Sequence, residues 1–154
     1  MIKIIVSEQK LYHRRKTGVV CVYPISTAIN GVGNEQGSFK TPLGKHRIYA
    51  KIGEGMPKNT IFVGREPLGV FWENIRSLRD DWILSRILWL EGLELGVNKG
   101  GQVDSRLRYI YIHGTDEEHL IGKPASHGCI RMRNDDVMSL FEHVQEAEKV
   151  LIKL

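Results

Sequence analysis

With 154 residues, 42% of them hydrophobic and 26% charged, the chain is long enough to bury a core without staples, and its composition excludes a disordered or fibrous protein. Its net charge of +4 is scattered; the densest basic cluster, His13-Arg14-Arg15-Lys16, reads as a solvated hairpin turn, so no nucleic-acid partner is implied. Two cysteines exclude a disulfide-framed secreted scaffold, and no apolar run is long enough to span a membrane. No signal-peptide pattern follows Met1, so a cytoplasmic protein is expected, with an N-terminally trimmed exported protein as the alternative. One domain covering 1–154 is expected; sixteen glycines suit a fold with many turns.

Ile2 to Val6 is a β-branched run and predicts a strand, with Lys10 to Arg14 as its partner across the Ser7-Glu8-Gln9 turn. Thr17 to Ile25 predicts a second strand, apolar on both faces and so central and covered on both sides; Cys21 within it reads as a buried structural thiol. A glycine-rich loop from Asn30 to Gly37 and the stretch Ser38 to Gly44 precede a strand from His46 to Ile52, and Ile61 to Val63 is a short strand. Glu66 to Asp81 has no clean period. It reads either as a covering loop with a short helix or as a lid whose aromatics wall a cleft.

Ile83 to Leu90 is apolar on both faces and predicts a strand. Leu107 to His113 alternates, with Ile110 and Ile112 on one face and Tyr109, Tyr111 and His113 on the other. Asp116 to Ile121 predicts a helical turn. Asn134 is placed as the N-cap of a helix whose apolar face is Val137, Leu140, Phe141 and Val144; Val150, Ile152 and Leu154 predict a closing strand. The pattern is mainly β: a sandwich or distorted barrel with a small helix packed on it.

The chemistry concentrates in Ser126-His127-Gly128-Cys129-Ile130-Arg131-Met132 and in His113-Gly114-Thr115. A thiol becomes a strong nucleophile when a base helps it ionise, and either His113 or His127 can serve Cys129 in that role. Gly128 allows close approach of a substrate, and the amides of Gly128 and Cys129 can converge on an oxyanion. Arg131 offers a planar fork for a carboxylate. The bland readings are a hydrogen-bonded strand-end histidine and a plain turn. A zinc site from His113, His127 and Cys129 is a third reading, without a C-x-x-C or H-E-x-x-H to support it.

These residues resemble the YkuD-type L,D-transpeptidase catalytic domain. The resemblance rests on His113-Gly114 followed by Ser126-His127-Gly128-Cys129-Ile130-Arg131, on Gly37-Ser38-Phe39-Lys40-Thr41-Pro42-Leu43-Gly44 upstream, and on Leu120 to Ala125 between. It implies a mainly β fold, a β-sandwich or distorted barrel of that type with one or two short helices. It implies Cys129 as nucleophile, His113 as base, His127 as its assistant and Gly128 in the oxyanion hole, with Arg131, Ser126 and Gly114 on the substrate side. No metal or other cofactor is implied. The implied substrate is a peptidoglycan tetrapeptide or muropeptide, attacked at the bond to its terminal D-Ala. The chain resembles the short cytoplasmic members that act as L,D-carboxypeptidases in murein recycling. The alternatives are a transpeptidase forming 3-3 cross-links or exchanging terminal D-amino acids, and a non-catalytic muropeptide-binding module.

Overall fold

In the computed structural model, which describes all 154 residues, the β-branched runs become ten strands. They are β1 (Ile2–Ile5), β2 (Lys10–Arg14), β3 (Val20–Ser26), β4 (Gly44–Ile52), β5 (Thr60–Val63), β6 (Glu66–Val70), β7 (Ile83–Gly92), β8 (Tyr111–Gly114), β9 (Ile130–Met132) and β10 (Lys149–Lys153). One α-helix, α1 (Asn134–His143), and four short 3-10 turns complete the chain, and no helix is long and apolar enough to cross a membrane.

Eight strands run in the order β4-β10-β1-β2-β3-β9-β8-β7, and β7 pairs back onto β4. The sheet therefore closes into a barrel and leaves no free edge among the eight, which removes the hazard of unpaired strand edges. The β5–β6 hairpin hangs from the N-terminal part of β7 as a flap outside the ring. Two pairings are parallel, β1 with β10 and β8 with β9; the other ladders are antiparallel.

Alternation decides what faces inward. Ile2 and Ile4 of β1, Ile112 of β8, Ile130 and Met132 of β9, and Val150 and Ile152 of β10 join one core cluster of nineteen buried residues. Val137, Leu140 and Phe141 of α1 belong to that cluster too, so the helix packs its apolar stripe against the barrel's own filling. On the outer face of β7 and β8, Ile87 and Tyr111 form a small cluster with Phe62 of β5, under the flap.

Four local expectations differ from the structure. The second predicted strand is not covered on both sides: Val20 and Val22 face solvent while Tyr23 and Ile25 face the core, as befits a barrel wall. The run Leu107 to His113 is strand only from Tyr111, because Tyr109 adopts a left-handed φ of +55° and breaks the ladder. Asn134 is the first helical residue rather than the N-cap; the Glu118 carboxylate accepts its amide at 2.8 Å and satisfies that helix end in place of a cap side chain. Glu66 to Asp81 contains a strand, β6, followed by a 3-10 turn over Glu73–Leu78.

Candidate active site

The parallel β8–β9 pair sets the geometry. Its register places His113 beside Arg131 and Ile112 beside Ile130; continued one step back, it sets Cys129 opposite Tyr111. Because Ile112 and Ile130 point into the core, Tyr111, His113, Cys129 and Arg131 share the outer face of the barrel wall. Three of the groups singled out in the sequence, His113, Cys129 and Arg131, are thus brought to one patch by two short strands.

His113 is fully buried, and its Nδ1 lies 2.6 Å from the Gly114 carbonyl oxygen. A carbonyl only accepts, so Nδ1 carries the proton and Nε2 presents a lone pair. Nε2 is buried and has no partner. Burial lowers the imidazole below its ordinary value, opposed by the Asp81 charge and the Gly114 contact. Gly114 stands behind this histidine: a Cβ there would collide with Asn134 and come within 2.6 Å of the Leu84 carbonyl oxygen. Asn134 in turn donates to the Thr115 carbonyl at 2.8 Å and accepts from Ser85 at 2.7 Å, fixing the end of β8 against α1 and β7.

The Cys129 thiol sits between two backbone groups of the neighbouring segment. It accepts from the Tyr111 amide and donates to the Tyr109 carbonyl, both at 3.3 Å. Burial pushes the thiol up to about 12, with the Tyr111 amide pulling the other way, Asp81 adding to the rise, and Arg131 and Arg108 opposing it. The resting pair is therefore a neutral thiol and a neutral imidazole. On one side Sγ opens to a cleft of about 250 Å³ lined by Gln36, Phe39, Arg108, Tyr109 and His127 among others.

The turn that presents the thiol is held from several directions. Gly128 has a φ of +133°, a region open to glycine and strained for other residues, and a Cβ there would meet the Lys40 carbonyl at 3.4 Å. Ser126 is fully buried; its hydroxyl donates to the Cys129 carbonyl at 2.6 Å and accepts the Gly128 amide at 3.2 Å. Thr41, also fully buried, donates to the Gly128 carbonyl and accepts the Ala28 amide, each at 3.0 Å. The Ser38 to Gly44 stretch thus acts as a clamp on the turn that carries Cys129. With the Gly128 amide engaged, the amides of His127 and Cys129 are the ones without an acceptor in the protein.

Arg131 is 2% exposed and donates to Asp81 at 2.9 Å, with Glu117 at 3.6 Å on its other side. His127, 52% exposed, lies at the mouth; its Nδ1 is 3.8 Å from the second Asp81 oxygen and its ring meets Phe39 edge-on. Ser126, Gly114 and Arg131 are therefore embedded in the wall, whereas His127 and Cys129 reach the cleft. No three His, Cys, Asp or Glu side chains cluster closely enough to hold a metal ion, so the zinc reading finds no ligand set here.

Two functional candidates had no sequence signal. Asp81 reaches the site from the covering segment, where Arg76 ties the segment down to Asp116 at 2.6 Å and Trp82 packs on Phe71. Arg108 lines the cleft and donates to Gly33, Ser38 and Lys40. Both partnerships join residues far apart in the chain, and neither residue stands in a motif.

The family profile described as the YkuD L,D-transpeptidase catalytic domain matches residues 1–152. The chain belongs to that family. YbiS of Escherichia coli K12, named a probable L,D-transpeptidase, is 29% identical over 94% of this chain and 41% of its own length. YqjB of Bacillus subtilis, named a putative L,D-transpeptidase, is 51% identical over 27% of this chain and 23% of its own. Among solved structures, the L,D-transpeptidase of Xylanimonas cellulosilytica superposes with a TM-score of 0.59 at 19% identity, covering 99% of this chain and 59% of that one. L,D-transpeptidase 3 of Mycobacterium tuberculosis, solved with a faropenem-derived adduct, gives 0.57 at 15% identity, with 99% and 59% covered. At such identities the superpositions show the L,D-transpeptidase fold, and the chain spans about two fifths of the length of YbiS.

Proposed function

We propose that the protein is a cysteine acyl-transfer enzyme of peptidoglycan peptides that passes its acyl group to water, an L,D-carboxypeptidase. The observation that carries this reading is the pairing of a cleft-lining thiol with a buried histidine on the same wall of the barrel, its Nδ1 committed to a carbonyl and its Nε2 left as an unpartnered base. Cys129 Sγ attacks the carbonyl between the diamino acid and the terminal D-Ala while its proton passes to His113 Nε2. The same proton leaves on the D-Ala nitrogen, and a thioester remains. Water then adds to the thioester, giving a proton to Nε2 that returns to the departing thiolate. The amides of His127 and Cys129, without an acceptor in the protein, would receive the oxyanion. Arg131 and Asp81 brace the wall behind the reacting atoms, and His127 borders the entrance.

Two features support water as acceptor. The cleft that Cys129 lines, about 250 Å³, has room for the end of one donor peptide. Two free cysteines suit a reducing compartment, in keeping with peptide recycling in the cytoplasm. The second reading, cross-linking or exchange of terminal D-amino acids, is favoured by the L,D-transpeptidase names of the relatives. Incubation with tetrapeptide muropeptides, with and without an amine acceptor, followed by mass analysis separates the two. Tripeptide and free D-Ala are expected under both conditions; dimers or exchanged products would replace water with an amine. The His113→Gln variant is expected to lose about 10²- to 10⁴-fold in acylation rate.

A further inference from the structure

Buried or half-buried cations in proteins are normally matched by an anion, because an unmatched charge taken out of water is costly. The arginines around this site obey the rule with one exception. Arg131 has Asp81, and Arg76 has Glu73 and Asp116. Arg65 and Arg106 lie over the faces of Trp89, Tyr109 and Tyr49, where an aromatic ring stands in for the anion. Arg108 has neither. Its guanidinium donates to the Lys40 carbonyl at 2.7 Å, the Gly33 carbonyl at 3.3 Å and the Ser38 hydroxyl at 3.4 Å, all neutral oxygens of one loop. A guanidinium carries five N–H donors, so these contacts fix its plane and leave donors unspent.

Its position gives the missing anion an address. Arg108 lines the same cleft as Cys129, next to Tyr109, whose carbonyl holds the thiol. Burial lowers the Arg108 guanidinium, and no carboxylate stands against it to oppose this; the ionisable group beside it is Cys129. In the resting enzyme that thiol is protonated, so the cleft holds a positive charge without its counter-charge.

We infer that Arg108 is the anchor for a carboxylate of the peptide acylating Cys129, and that it selects donors by that charge. The inference rests on Cys129 being the reacting group. Two carboxylates of the proposed substrate fit the chemistry: that of the terminal D-amino acid, and that on the side chain of the diamino acid where it has one. A planar, pre-oriented fork favours a two-point contact to either, which a lysine cannot reproduce.

The test is binding to the Cys129→Ala protein, which cannot turn over, measured by calorimetry with three tetrapeptides. One is the free acid, one is amidated at its C-terminus, and one is amidated on the diamino acid side chain. One of the two amidations is expected to weaken binding by about 10- to 100-fold, the worth of a charge-assisted hydrogen-bonded pair, and which one does so locates the carboxylate. Adding Arg108→Gln is expected to bring the free acid down to that amide, with no further effect of amidation. Arg108→Lys, which keeps the charge and the bulk, is expected to retain part of the preference. Because each comparison is made between peptides on one protein, a general loosening of the Gly33 to Lys40 loop affects all three alike. Equal binding of all three peptides, an acid preference that survives in either Arg108 variant undiminished, or no binding at all would overturn the inference. Whether Cys129 reacts is read separately from the mass of the unsubstituted protein after incubation with the same peptides. An unmodified thiol alongside an intact acid preference would sink the acyl-enzyme reading and leave the anchor standing.

Discussion

At Cys129 and His113 the decisive quantity is where the proton rests. Burial raises the thiol to about 12 and lowers the imidazole, so the neutral pair is favoured over a preformed thiolate–imidazolium pair. In the proposed reaction, proton transfer then belongs to the attack itself, as general-base catalysis, rather than preceding it. Alkylation of Cys129 by iodoacetamide should therefore be slow at neutral pH and still be rising at pH values where an ordinary cysteine, near 8.5, has levelled off. A plateau in the alkylation rate close to pH 7 would show a resting thiolate instead. The thiol and both histidines were legible in the sequence because their motif packs them into one short stretch and one strand end. Asp81 and Arg108 were not, because their partners come from other segments and an isolated charge carries no pattern.

Among the elements, the β8–β9 pair and the Thr41 clamp do the positioning. Thr41 ties two buried backbone groups, the Ala28 amide and the Gly128 carbonyl, to a single hydroxyl. Thr41→Val keeps the shape and removes both bonds, leaving two buried polar groups unsatisfied. A loss of about 2 kcal/mol or more is expected, seen as a fall in melting temperature of about 4–8 °C. The same variant should raise hydrogen exchange between Ser126 and Cys129; unchanged exchange there would show that the turn is held without the clamp. The Gly37 to Gly44 stretch could be seen in the sequence, but its purpose needed the fold. Glu66 to Val70 was hard to read for a simple reason. Every residue of β6 is exposed, so a strand on the flap's outer edge has no buried face to impose alternation. Tyr109 misled in the opposite way: the alternation runs through it, while its left-handed backbone ends the strand.

Across the whole molecule, closure of the barrel buries histidines that must stay neutral. His46 donates from Nδ1 to the Gly44 carbonyl at 3.0 Å and accepts from Ser105 at 2.8 Å, and burial lowers it to about 4. His13 and His113 are lowered too, also chiefly by burial. A depressed histidine leaves stability intact above its unfolded value near 6.5, because neither state then holds the proton. Below it the unfolded chain protonates first, and stability falls until the folded value is reached. For His46 alone the loss between pH 6.5 and 4 is about 3 kcal/mol. Asp116 and Asp136, raised chiefly by burial, carry the opposite sign but act closer to the carboxylate range. Urea midpoints should hold steady above pH 7 and decline from about pH 6.5 downward; a flat midpoint to pH 5 would show that the histidines are not buried as neutral groups. The barrel itself was legible as a mainly β pattern, but its closure was not, since the β4–β7 ladder that seals it joins segments with no local signature.

The two strands that carry the candidate site also carry the core, on opposite faces. Ile112, Ile130 and Met132 fill the barrel, while His113, Cys129 and Arg131 alternate with them on its outside. Heritable change at this wall is therefore sorted by parity of position. A substitution at one residue bears on how well the protein folds, and a substitution at the next bears on the candidate site. Such a wall can vary at the candidate site along one set of positions while the other set remains under constraint for folding.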